Sequence, residues 1–528
     1  MAILSFLIFT VLVGVISYFS TRGTNEKSSE GYFLGGRSLT AGVIAGSLLL
    51  TNLSTEQIVG LNGAAFKEGI LVMVWETLAA IAMVITAVFL LPRYLKGGIT
   101  TIPQFLERRY DTTTKAITSG LFLTGYAFIL LPTVLYSGAL AINTMFDISQ
   151  ILGLSETSAL WITVWGIGII GSIYAVFGGL KAVVISDTVN AIGLLIGGLM
   201  IPIFGLWAVG DGSIFNGIQI LIDSHPEKFN AIGNIKASVP FSTIFTGMML
   251  VQLFYWGTNQ AIIQRALGAK NLKEGQKGLL LGAFIKILGP LIVVLPGIIA
   301  FHLFEGTLEN PDEAYPTLVS AVLPVSLVGF FAAVLFGAIL SSFNSALNSS
   351  VTLFGIDIYK EYYNKNANER TIVKAGKTFG IVLAIISMFI APLLLYASDG
   401  LFGYLQEANG IYSIPILTII VVGYLTKKVP AIAAKTGIIL GSLLYMFSQF
   451  VLKPFVIGNE NYPHFLHVMA ILFILNVLIM LGIGKVQPKV KEYHQKYTKQ
   501  VDINPWKYVN IVGVIVCVIV IGIYIYFS

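Results

Sequence analysis

Residues 48–63 read LLLTNLSTEQIVGLNG. Six polar side chains, Thr51, Asn52, Ser54, Thr55, Glu56 and Gln57, stand in the middle of a run otherwise apolar enough to enter a bilayer. Such a cluster costs several kcal/mol in hydrocarbon, roughly 2–7 kcal/mol for each unpaired group, unless it lines a cavity or binds something. The surrounding sequence excludes a water-soluble explanation. The chain has 528 residues, 56% hydrophobic and 11% charged, and its mean hydropathy is +0.84. That apolar content is too high, and the charge too low, for a soluble domain.

Fourteen apolar runs of spanning length follow one another, at roughly 2–19, 38–66, 70–93, 116–143, 157–177, 182–207, 241–264, 278–302, 323–356, 372–397, 403–425, 430–452, 463–484 and 507–527. Long continuous runs without two-residue alternation suit helices, which satisfy their own backbone hydrogen bonds in lipid. The expected fold is an all-α integral membrane protein. Basic residues cluster in alternate connections: Arg22, Lys27 and Arg37 after span 1, Lys96, Arg108, Arg109 and Lys115 after span 3, Arg265 to Lys277 after span 7, Lys360 to Arg370 after span 9, and Lys485 to Lys499 after span 13. The connection after span 8 carries Glu305, Glu309, Asp312 and Glu313 instead. The positive-inside rule makes the basic connections cytoplasmic and puts both termini outside, in the plasma or inner membrane of a cell. Residues 1–19 lack a basic leader and a cleavage site, so they are expected to be a retained span.

A second polar centre, QLFYWGTNQ at 252–260, lies five spans after the first. Because five is odd, spans 2–6 (38–207) and 7–11 (241–425) form two units of opposite orientation, each opened by a discontinuous helix, as in many secondary transporters. Residues 1–37 become a peripheral helix with its cytoplasmic loop, 208–240 the extracellular connection, and 426–528 three peripheral spans. Both long connections, 208–240 and 485–506, have room for a surface helix.

Four ionisable residues fall within spans: Glu56, Glu76, Asp187 and Lys286. At 1.5 Å per residue Glu76 lies roughly 9 Å from one face and Lys286 roughly 12 Å from the other, so modest tilt brings them level in a core about 30 Å thick. The pair is either a structural ion pair or a site whose carboxylate accepts, and whose ammonium donates, hydrogen bonds to a polyhydroxylated ligand. On span 9, Ala338, Ser341, Ser342, Ser345, Asn348 and Ser349 share one helical face. That stripe suits a hard cation such as Na⁺, and equally a close-packed helix interface. Phe254, Tyr255 and Trp256 flank the second polar centre, and Trp75 precedes Glu76.

Enzyme chemistry has little to stand on. GKT at 376–378 ends like a P-loop, but Thr371 occupies the place of its first glycine, so no ATP site is expected. No acidic or Cys partner completes a metal motif around the five histidines, the single Cys517 forms no intrachain disulfide, and the dispersed basic residues offer no nucleic-acid surface.

Several motifs in order, GYFLGGRSL (31–39), NLSTEQIVGLNG (52–63), LPRYLKGGITTIPQFLERRY (91–110), YAVFGGLKAVVISD (174–187), FYWGTNQAIIQRALGAK (254–270) and LSSFNSALNSSVTLFGIDIYKEYY (340–363), resemble the sodium/solute symporters. Within them the chain is similar to the sodium/sugar branch, and more closely to a bacterial subgroup of symporters. The resemblance spans nearly the whole chain. It implies fourteen helices in a five-plus-five inverted repeat, and a sodium site where span 2 meets span 9. That site would use the carbonyls of Leu50, Leu53 and Ala338 and the hydroxyls of Ser341 and Ser342, which tips the serine stripe toward the cation reading. The implied solute pocket draws on Gln57, Glu76, Lys286 and Gln406, with Asn52, Trp256 and Asn259 nearby, Tyr255 stacking as inner gate and Asp187 on the cytoplasmic exit route. Three positions depart from the galactose pattern: Gln252 and Leu130 stand where asparagines are expected, and Thr77 where a tryptophan is. Fewer short amides shift the hydroxyl contacts, so a hexose or another polyol is expected rather than galactose itself. The expected activity is sodium-coupled import of a small neutral solute. A carboxylate-bearing solute is the rival, opposed by Glu76, and a sugar sensor without transport is a third reading, opposed by the lack of a signalling domain. A channel is disfavoured because no charged ring or filter is visible.

Overall fold

The computed structural model of the protein describes residues 29–308, 310–396, 401–458 and 461–528, together with residues 8, 11–13, 15, 16 and 19. Most of the expected first span, Arg22, Lys27 and Glu309 lie outside the described residues. Among those described there is no strand, only an isolated parallel bridge between Leu39 and Ala269.

The polar stretch that opens the sequence is a helix interrupted at two residues. Helix α1 (Ala41–Asn52) stops where Leu53 turns to φ −77°, ψ 58°; Ser54 is extended, and α2 (Thr55–Glu68) begins directly after it. The polar residues on either side stay helical, so the unwound segment is shorter than the polar sequence suggests. Gly69, at φ +76°, then reverses the chain in a conformation that side chains rarely adopt, and leads to α3 (Val74–Ile85). After the span Thr112–Phe146, a 54-residue helical element, α4 (Glu156–Val209), holds two membrane-spanning stretches, Glu156–Ile173 and Val183–Val209. These match expected spans 5 and 6, with helical backbone between them where a loop was expected.

The second break repeats the first. Helix α5 (Gly247–Gly257) ends at Thr258, Asn259 is extended, and α6 (Gln260–Leu267) continues. Here too only two residues leave the helix. Helix α7 (Leu272–Leu288) is followed by Pro290–Phe304 with a 43° bend at Gly289 and Pro290, as a missing N–H and a ring clash require. Helix α8 (Val325–Thr352) carries the serine stripe and packs on both α1 and α4. Helix α9 (Leu401–Leu425) lies beside α2 and α5, and α10 (Phe465–Val486) beside α9.

Ten described helices are long and apolar enough to cross a membrane, and α7 with its bent continuation makes an eleventh. The two broken helices bring the described spans to thirteen; most of the expected first span lies outside the described residues. Of the two long connections, 208–240 contains a helix at Ile214–Ser224. The other forms none: residues 487–506 run irregularly across the ends of α7 and the Lys96 turn, bonded through Asp502 O to Leu272 N (2.9 Å) and Thr498 N to Lys96 O (3.1 Å).

Two large apolar clusters meet at the breaks. One holds Ile44, Leu48, Phe254, Trp256 and Ile262; the other holds Leu49, Leu50, Leu53, Ile58 and Val251. The polar residues therefore sit at the seam between two packed bodies, where low dielectric makes every unpaired oxygen costly.

Candidate solute and cation site

Four of the residues singled out by sequence converge at this seam. The Lys286 ammonium on α7 pairs with Glu76 Oε2 on α3 and also donates to Asn52 Oδ1 at the end of α1. Glu76 Oε1 accepts from Gln57 Nε2 on α2 at 2.8 Å. Both charges are fully buried, at 0% and 1% exposure of the side chains. Removing two ions from water is repaid only when further hydrogen bonds satisfy their remaining positions, and the two amides do that here. The Trp256 ring lies 5.7 Å from Lys286 Nζ, in cation–π range. A Cβ on Gly289 would overlap Glu76 Oε2, so glycine at the α7 bend is what admits the carboxylate. Tyr255 stands edge-on to Trp256 at 5.3 Å, with its hydroxyl in hydrogen-bonding reach of Asn52.

Other candidates are placed elsewhere. Gln252 is turned away from the pair and donates to Trp75 O at 2.9 Å, tying α5 to α3. Asn259 caps α6: its Oδ1 accepts from Ala261 N (3.0 Å) and from the Tyr126 hydroxyl (2.7 Å). Gln406 is half-buried on α9 and makes no side-chain hydrogen bond among the described residues.

The expected cation ligands flank the first break. Ser342 Oγ donates to Thr51 O at 3.0 Å, which fastens α8 to the end of α1. Leu53 N bonds back to Leu49 O. The carbonyls of Leu50 and Leu53 receive no N–H among the described residues, as expected of the last turn of an interrupted helix. Ser341 Oγ is buried without a hydrogen-bond partner of normal geometry, and Ala338 is fully buried one turn earlier on α8. Carbonyl and hydroxyl oxygens with free lone pairs, and no nitrogen or sulfur, are the donor set of a hard cation.

Asp187 lies on α4 beside this cluster, 1% exposed, with Oδ2 accepting from Ser47 Oγ at 2.7 Å. Ser47 in turn accepts from Arg265 Nε at 3.3 Å, and Arg265 also donates to Ser345 and to Ala261 O. Arg265 corrects an expectation: counted by sequence among the basic loop residues, it is 0% exposed and part of the buried network. So too Arg109, which is fully buried and donates to Gly423 O (2.9 Å) in the last turn of α9 and to Thr426 O (3.1 Å) and Val429 O (3.0 Å) just beyond it. Its position at a helix C-terminus is the favourable end for a cation. The signal for Arg265 was in the sequence, since it stands five residues after the polar centre, within one and a half turns of it.

A cavity of about 580 Å³ opens beside α2 and the residues 310–312, and is lined by Gly60, Tyr136, Trp75 and Phe402 among others. Trp75 and Phe402 meet edge to face at 5.2 Å, and Gly60 admits Phe402 because a Cβ there would lie 2.7 Å from it. Glu76, the neighbour of Trp75 in sequence, is fully buried.

The match to known proteins follows the geometry. Residues 32–441 match the model of the sodium:solute symporter family. The chain is 48% identical over 522 residues to an Escherichia coli (strain K12) protein described as an uncharacterized symporter, YidK, covering 99% of this chain and 90% of that one. It is 34% identical over 468 residues to the sodium/glucose cotransporter of Vibrio parahaemolyticus, covering 84% and 83%. Its fold is similar to the substrate-bound, outward-open structure of a Na⁺-coupled sialic acid symporter, with a TM-score of 0.79, 19% identity, and 93% and 99% coverage. Broken helices, a buried polar seam and sequence similarity along nearly the whole chain agree: the protein belongs to the sodium:solute symporter family.

Proposed function

We propose that the chain is a secondary active transporter, not an enzyme, that couples inward movement of Na⁺ to uptake of a sugar or related polyol. The carrying observation is the knot of Glu76, Lys286, Asn52 and Gln57, whose hydrogen bonds are satisfied by one another. A hydroxylated solute replaces those bonds one for one: its hydroxyls donate to the carboxylate and accept from the ammonium, with no charge to neutralise. A carboxylate-bearing solute would meet Glu76 as well as Lys286, and the ammonium is already committed. The similarity to a sodium/glucose cotransporter supports the same solute class.

Na⁺ would be held by the carbonyls of Leu50, Leu53 and Ala338 and the hydroxyls of Ser341 and Ser342. Asn52 faces the solute one residue from Leu53, so ion and solute order the same break, and each stabilises the state that binds the other. Trp75 with Phe402 closes the seam toward the 580 Å³ cavity, Tyr255 closes it on the other side, and Asp187 lies on the inner route. Residues 38–207 and 241–425 act as the two repeats that exchange access, with both termini outside. One charge crossing 100 mV supplies about 2.3 kcal/mol, about a fortyfold concentration ratio before the sodium gradient is added.

Thermal unfolding of the purified protein against a panel of monosaccharides, polyols, amino acids and carboxylic sugars, with and without Na⁺, tests the reading. Stabilisation by a neutral polyol only when Na⁺ is present is the expected result. Stabilisation by carboxylates alone overturns the solute class.

A further inference from the structure

The carboxylate of Glu56 has no part in the site just described, and its surroundings give it one. Glu56 is 5% exposed, in the first turn of α2, and its Oε2 has no hydrogen-bond partner. It lines a small void of about 10 Å³ together with Thr51, Ser342, Ser345, Tyr255 and Leu130. About that volume holds one water-sized occupant.

Charge around the seam is unbalanced. Glu76 is paired with Lys286. Asp187 is joined to Arg265 through Ser47. Glu56 is the third buried carboxylate there, and no Lys, Arg or His is within ion-pair distance of it among the described residues. An uncompensated carboxylate at this depth is strongly destabilising, and the helix N-terminus that it occupies offsets only a small part of that. The oxygens facing it keep lone pairs to offer. Ser345 Oγ accepts from Arg265 and shares a hydrogen bond with Thr51 Oγ1 at 3.2 Å, which leaves a lone pair on each, and Ser342 Oγ uses its proton on Thr51 O. A carboxylate with three hydroxyl oxygens around a one-atom void is a donor set for a small hard cation.

We propose that Glu56 Oε2, with the hydroxyls of Thr51, Ser342 and Ser345, binds a second Na⁺. This site has its own ligands in Glu56, Thr51 and Ser345, and shares only Ser342 with the first ion. The inference rests on the proposed sodium site through that shared hydroxyl. The second ion brings the charge that Glu56 lacks, and ties the start of α2 to the end of α1 across the break.

Equilibrium binding of radioactive Na⁺ to the purified full-length protein, with no solute present, separates the two sites. Wild type is expected to bind one ion more per chain than Glu56→Gln, and one more than Ser341→Ala, whose missing hydroxyl belongs to the first site alone. Thr51→Val removes one ligand and keeps the carboxylate, so it is expected to weaken the Glu56-dependent ion about tenfold while leaving the other unchanged; it carries the test if Glu56→Gln does not fold. Wild type binding a single ion, or Glu56→Gln and Thr51→Val binding as wild type does, overturns the proposal. Retention of both ions by Ser341→Ala instead overturns the first sodium site and leaves the Glu56 site standing.

Discussion

The two broken helices differ in how their breaks are satisfied. At the second, Asn259 caps α6 through Ala261 N, and the Tyr126 hydroxyl both donates to Asn259 Oδ1 and accepts from Ala261 N. At the first, Ser54 makes no capping bond, and Ser54 Oγ, Thr55 Oγ1, Glu56 Oε2 and Ser341 Oγ are all buried without a hydrogen-bond partner of normal geometry. Buried oxygens left open in a protein interior each cost about 1–3 kcal/mol. The second break is thus complete in itself, a fixed bend in the chain. The first leaves buried oxygens open, which is the ground on which ion and solute are proposed to bind there.

The largest effect that tests this contrast falls on the ion pair fastening the first break. Lys286→Ala leaves Glu76 buried and Asn52 without its donor, and is expected to lower stability in detergent by about 3–5 kcal/mol. The double variant Glu76→Gln, Lys286→Met is expected to regain most of that stability but no transport. A loss under about 1 kcal/mol in the single variant would show that the pair does not hold Asn52 in place.

Ser341→Ala acts on an oxygen that lacks a hydrogen-bond partner of normal geometry. In Na⁺-free buffer its unfolding temperature is expected to match wild type, while half-saturation by Na⁺ rises tenfold or more, about 1.4 kcal/mol. Unchanged sodium dependence of uptake in proteoliposomes would remove Ser341 from the cation site.

Asn259→Ala reverses that pattern. Loss of the cap is expected to cost about 1 kcal/mol, with Na⁺ half-saturation unchanged, whereas Ser54→Ala at the first break changes Na⁺-free stability by less. Equal losses at the two breaks would erase the distinction drawn between them.

The smallest effect concerns a helix start remote from both. His464 Nδ1 accepts the Leu466 N–H at the start of α10 and Nε2 lies 3.0 Å from Ser238 O, to which it donates. Burial holds the ring neutral, pushing its pKa from 6.5 down to about 4. A depressed histidine favours the fold above the unfolded value, and that contribution fades as pH falls from 6.5 toward 4. The stability of wild type relative to His464→Asn is therefore expected to decline across that window. A pH-independent difference in unfolding temperature would mean that the ring is protonated in the fold.

Much of the architecture was legible because lipid restricts the alternatives. Apolar runs of spanning length have to be helices, and polar residues inside them have to be sheltered. That logic located both breaks, although it made them too long: polar composition marks a sheltered face, whereas only Leu53, Ser54, Thr258 and Asn259 actually leave the helix. Depth alone was enough to bring Glu76 level with Lys286. It was not enough to direct Gln252, Asn259 or Gln406, because an amide's orientation depends on the neighbours across the helix, here Trp75 O and Tyr126. Arg265 was misplaced for a related reason, since a charge near a helix end is counted as a loop charge unless a buried partner such as Ser47 is known.

By itself the sequence determined a helical membrane protein, the two interruptions and the buried charges, since the cost of unpaired polar groups in hydrocarbon acts residue by residue. The tertiary structure decided which oxygens find partners. Two breaks of similar composition diverged because Tyr126 reaches one of them, whereas Glu56 Oε2 at the other has no donor of normal geometry among the described residues, and that is settled by packing between helices far apart in the chain.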